Sequence, residues 1–162
     1  MKLTEAGKSL FNSTDVNEKN KAADSLCNGS TDINIYTEFG VCYEVVAYLR
    51  CLLGSQLDIN TLLGSDSKDW PIIILLNDGN QWTNGDIDIG TAVGFGRVIK
   101  ENITWFHAAI ATGGTTIRSV NGNALGNGWS QLVNLSDVLI NPDNNGYFNY
   151  DNAPTIVTLS PF

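Results

Sequence analysis

The sequence predicts an α+β fold, with one core helix packed on a mostly antiparallel sheet. Three observations predict it. An unbroken apolar stripe at helical spacing runs from Cys42 to Leu53. Most of the strand-like segments come after that helix. Gly113-Gly114 splits two of them, a hairpin signal. Helix first and strands afterwards is an α+β order. No internal repeat or linker is visible, so residues 1–162 are expected to form a single domain.

The elements follow in order. Residues 1–30 are polar and helix-prone, an N-terminal arm or short helix broken near Asn28-Gly29-Ser30. Asp32-Ile33-Asn34-Ile35-Tyr36 alternates and reads as a short strand. Cys42, Val45, Val46, Leu49, Leu52 and Leu53 share one helical face, with Gly40 before the helix and Gly54 as its stop. Asp58 to Gly64 reads as a second short helix, and residues 66–69 as a polar loop. The apolar run Ile72–Leu76 is a strand or a buried helical turn. Thr91–Val98, Ile103–Thr112 and Thr115–Val120 read as strands. Asn121–Trp129 is a Gly/Asn-rich loop, Ser136–Leu139 a helical turn and Thr155–Leu159 the last strand.

Composition narrows the function. The chain is 43% hydrophobic and 16% charged, which is globular, and its net charge is −8. That charge is repelled by phosphate backbones and anionic lipid, so neither nucleic acid nor a membrane is an expected partner. No apolar run is long enough to span a bilayer. No apolar stretch follows Lys2, so no Sec signal is expected; the protein is then cytoplasmic or exported by a dedicated secretion system. Three cysteines and one histidine cannot build a four-cysteine or His-rich zinc site, and no cofactor is implied.

A thiol attacks as its thiolate, and a helix N-terminus favours that form. Cys42 stands at such a start and on the apolar stripe. Cys51 lies nine residues on, roughly opposite at about 100° per residue, and reads as packing. His107 opens His107-Ala108-Ala109-Ile110-Ala111, so it is the one imidazole available as general base. The group that holds its ring depends on the hairpin register. A two-residue turn puts His107 opposite Val120. A three-residue loop centred on Gly114 puts it opposite Asn121, and one centred on Gly113 opposite Ser119. Asn121 is preferred because its side-chain oxygen accepts from an imidazole N–H.

Gly40-Val41-Cys42-Tyr43-Glu44-Val45-Val46 opens the core helix. Trp105-Phe106-His107-Ala108-Ala109-Ile110-Ala111, the Gly-Gly turn and Thr115-Thr116-Ile117-Arg118-Ser119-Val120-Asn121 come later. In this layout the chain resembles the papain-like cysteine hydrolases over roughly residues 36–121, and is most similar to NlpC-type and CHAP-type peptidases and amidases. The resemblance implies that Cys42 attacks an amide carbonyl, His107 is the base and Asn121 orients it. Papain-like enzymes carry an oxyanion Gln six positions before the Cys; here Tyr36 stands there, an oxyanion candidate beside the Cys42 N–H. Tyr43 replaces the small residue usual after the Cys in NlpC-type enzymes. The implied substrates are peptides, peptidoglycan peptides or a host protein that is cleaved or deamidated. An immunity protein is the implied partner of a secreted toxin or effector.

Blander readings stand beside these. A lone Cys on an apolar face is usually a small buried hydrophobe, and a lone His a satisfied core residue. Asn121 before Gly122 reads equally as a turn. Trp82, Trp105 and Trp129 are substrate-cleft candidates or ordinary core. Asp86 and Asp88 read as a solvated strand edge. On these readings the fold is a non-catalytic binding module.

Overall fold

The computed structural model describes residues 1–55, 63, 69–74 and 76–161. The expected helix over 58–64, Leu63 apart, and most of the loop over 66–69 lie outside the described residues.

The N-terminal thirty residues hold two helices where an arm or one short helix was expected: α1 (Glu5–Asn12) and α2 (Val16–Cys27). Each has its own side-chain cap. Thr4 accepts from the Gly7 N–H, and Asp15 from those of Asn17 and Glu18. The expected strand over Asp32–Tyr36 is instead a 3₁₀ turn, Ile33–Ile35. The Asp32 side chain accepts from the Asn34 N–H, and this local bond outcompetes a ladder. The pairing falls one step later, where β2 (Thr37–Glu38) meets β1 (Lys2–Leu3).

The core helix α3 (Cys42–Leu52) forms where expected, and Gly54 ends it at φ 108. The apolar run after it is helical: α4 (Trp70–Ile73), then a 3₁₀ turn over Leu76–Asp78. Seven strands make the main sheet, antiparallel in every pair. These are β3 (Asn80–Gln81), β4 (Ala92–Ile99), β5 (Asn102–Gly113), β6 (Thr116–Arg118), β7 (Val133–Asn134), β8 (Phe148–Tyr150) and β9 (Ala153–Ser160). The order is β3-β9-β4-β5-β6-β7, with β8 on β9. A helical turn, α5 (Leu135–Val138), follows β7. β8 and β9 turn through Asp151 and Asn152, both at positive φ, a two-residue hairpin that the sequence reading missed. Asp86 and Asp88 are exposed in a loop, not on a strand edge.

The sheet buries both faces. On one, Ala92, Ala108 and Ile110 pack with Val45, Val46 and Leu49 of α3, with Trp129 and with the other helices. On the other, Val93, Phe95, Ala109, Ala111 and Val157 pack with Trp82, Leu125, Leu135 and Phe148. The period of two along β5 sends alternate side chains into two separate cores.

Candidate functional site

Cys42 is the first residue of α3, and Glu44 steadies that turn by accepting the Val41 N–H at 2.9 Å. Its half-buried sulfur faces the backbone N–H groups of Ala108, Tyr43 and Cys42 itself. Burial raises the thiol above its ordinary value and outweighs those N–H groups, which lower it. None of the three cysteines forms a disulfide.

The sulfur thus meets β5 one residue beyond His107. The imidazole, however, lies on the opposite face. Alternation decides this, because from His107 to Ile110 the pairing with β4 is regular and a β-bulge falls just before it. Gly96 pairs with Trp105 and Phe95 with His107, leaving Phe106 as the extra residue. His107 therefore shares a face with Phe95, their rings 5.6 Å apart, while Ala108 points at α3. The ring is 2% exposed, and its Nε2 is buried with no hydrogen-bond partner. Burial holds its pKa down at about 4, against a smaller upward pull from the Leu125 backbone carbonyl. At neutral pH the imidazole is uncharged. No hydrogen bond joins Cys42 to His107.

The third residue fares differently again. β6 pairs Ile110 with Arg118 and Ala111 with Ile117. Carried along, that register sets His107 opposite Asn121, as the loop centred on Gly114 requires. The ladder ends at Arg118, however, and Asn121 is an exposed turn residue at φ 59, its N–H bonded to the Asn127 carbonyl. Asn121 and His107 line one cavity of about 200 Å³ without bonding to each other. Ser119, the alternative, is fully buried and donates to the Ala108 carbonyl at 2.7 Å, which ties the hairpin together.

The remaining candidates are placed elsewhere. The Tyr36 ring lies 6.2 Å from that of Tyr48 and lines the groove beside α1 and α2, so it is not brought to the Cys42 sulfur. Trp82 and Trp129 are 4% and 2% exposed, in opposite cores, and their indole N–H groups donate to the Gly85 and Leu26 carbonyls. Trp105 is half-buried against the α3 side. The three form no common cleft.

A cluster beside His107 was missed. The Arg97 guanidinium sits 4.6 Å from the Phe106 ring centroid and 5.4 Å from that of Tyr150. It donates to the Tyr150 and Ala153 carbonyls and the Thr155 hydroxyl. Its signal was the period of two: Arg97 stands two residues beyond Phe95 on one strand face. Among the described residues no group of three or more His, Cys, Asp or Glu is placed to hold a metal ion, and no helix is long and apolar enough to cross a membrane.

The fold and site define an α+β protein in which a cysteine helix abuts a histidine strand. No family model matches the chain, and no curated protein matches it.

Proposed function

We propose that the chain is a papain-like thiol hydrolase, closest in layout to NlpC-type and CHAP-type enzymes, that cleaves an amide bond through a thioester on Cys42. One observation carries the reading: the start of α3 brings a thiol and the backbone N–H groups of Cys42 and Tyr43 against β5, one residue from the only histidine. The sulfur attacks the carbonyl carbon, and its proton passes to His107, a step that requires the imidazole to stand on the α3 side of β5. The N–H groups at the helix start stabilise the oxyanion. The imidazolium then protonates the leaving nitrogen, and water hydrolyses the thioester. The substrate is a peptide, with peptidoglycan peptides first and a host protein, cleaved or deamidated, second.

A peptidoglycan zymogram run beside mass spectrometry of candidate host proteins tests this. Cys42→Ala should abolish turnover and keep the fold. Wild-type turnover in that variant would end the hydrolase reading.

A second reading, a non-catalytic binding module, is favoured by the His107 ring lying on the face away from Cys42. It expects no turnover of any of these substrates by the wild-type protein, and ligand binding that survives Cys42→Ala.

A further inference from the structure

We propose that a groove beside the start of α3 binds a lysine or arginine side chain of a peptide, with Phe39 as its aromatic wall and Asp32 as its counter-charge; that this peptide is the substrate of Cys42 rests on the hydrolase reading. The groove encloses about 300 Å³. Gly40 and Val45, which flank Cys42 in the chain, line it. So does Val120, which packs against the same core as Ala108. The Cys42 sulfur faces the Ala108 N–H, so the groove borders the turn that carries the thiol.

Two observations point to this occupant. The first is Phe39 itself. Its backbone is held at φ 57, a left-handed conformation that is unfavourable for a bulky residue. Burial does not offset that strain, because the residue is 89% exposed. A ring presented to solvent on a strained loop beside a groove is surface available to a ligand. The second is charge. Among the described residues that line the groove, Asp32 alone carries one. Its Oδ1 accepts from the Asn34 N–H at 3.0 Å, which fixes the carboxylate in place. The chain as a whole carries −8. An acidic peptide is therefore repelled and a basic one attracted. A lysine or arginine suits both groups at once: its stem and charge lie against an aromatic ring, and its donors reach a carboxylate. Phe39 is in this view a specificity residue.

Three peptides test the groove without any turnover: acetyl-Gly-Ala-Lys-Ala-Gly-amide and its forms with glutamate or norleucine in place of lysine. Each is titrated into isotope-labelled protein at low salt, and the backbone amide signals are followed by NMR. The lysine peptide should move the signals of residues 32–40 and 120–128. It should do so at about tenfold lower concentration than the glutamate peptide, with norleucine, which keeps the stem and lacks the charge, between them. Asp32→Asn can still accept from the Asn34 N–H and should remove the advantage of lysine over norleucine. Phe39→Asn places a residue that tolerates left-handed backbone, so it should fold as well as the wild type yet weaken the lysine peptide about threefold or more. Equal binding of the lysine and glutamate peptides overturns the proposal. So do shifts confined to another face, no shift with any peptide at millimolar concentration, and lysine binding that Phe39→Asn leaves unchanged. The link to the thiol is read by alkylation: saturating lysine peptide should slow iodoacetamide labelling of Cys42, and unchanged labelling overturns the groove as a substrate site. Activity is read separately. Full turnover by Cys42→Ala removes the hydrolase and leaves the lysine preference standing, whereas loss of that preference removes the groove and leaves Cys42 untouched.

Discussion

Gly122 lies flat against the His107 imidazole: a Cβ built on it would fall 2.3 Å from both Cε1 and Nε2. Its φ of −113° suits any residue, so space alone demands glycine here. Gly122→Ala must push the ring against Phe95 and should destabilise the protein by about 1–3 kcal/mol, the usual cost of overpacking. Urea unfolding measures it. In a His107→Ala background the same substitution should cost much less. An equal cost in both backgrounds would show that the two residues do not touch.

The buried imidazole makes stability depend on pH. Its folded pKa of about 4 lies below the ordinary 6.5, so the unfolded chain takes up the proton first as pH falls. The stabilisation is fully present above pH 6.5 and is lost as pH falls towards 4, by about 3 kcal/mol in all. His107→Gln should remove that part of the acid sensitivity in denaturant titrations at each pH. The single histidine also gives one imidazole signal in NMR. A titration midpoint near 6.5 would contradict the buried placement.

Thiol reactivity should rank by accessibility. Cys42 is half-buried, whereas Cys27 is buried and pushed up to about 11 by that burial, with Asp24 adding to the shift. Iodoacetamide should label Cys42 before Cys27 at every pH, and Cys42 should gain rate only above the ordinary thiol range. Mass spectrometry of the labelled peptides across pH checks the order. Early labelling of Cys27 would reverse it.

Arg118 ties the end of α2 to the loop carrying Trp129. The buried guanidinium donates to the Cys27 carbonyl at 3.0 Å, to Trp129 at 2.9 Å and to Asn28 at 3.4 Å. Arg118→Met fills similar volume but leaves these carbonyls without their donor. It should cost on the order of 2–4 kcal/mol, read as a lowered Tm. A change within about 0.5 kcal/mol would mean that water or another group replaces the donor at no cost.

Much of this was legible in the residues. The stripe from Cys42 to Leu53 gave a helix that begins at Cys42 and stops before Gly54, because helix periodicity and a left-handed stop are local properties. The Gly113-Gly114 turn defined three registers, and the observed pairing of Ile110 with Arg118 is one of them. Asn121 and the tryptophans were less legible. Whether a turn residue also orients an imidazole, or an indole lines a cleft instead of a core, depends on elements distant in the chain. Trp129, for example, bonds to Leu26.

By itself, the sequence determined the α+β order, the cysteine at the head of the core helix and the single histidine on a strand of a hairpin. Only the tertiary structure decided which way that histidine faces. Trp105-Phe106-His107 is a run of three ring-bearing residues with no alternation to read. The extra residue, Phe106, is set by how β4 pairs across the sheet; it puts Trp105 on the same side as Ala108, out of step with the alternation that carries His107 to the other face.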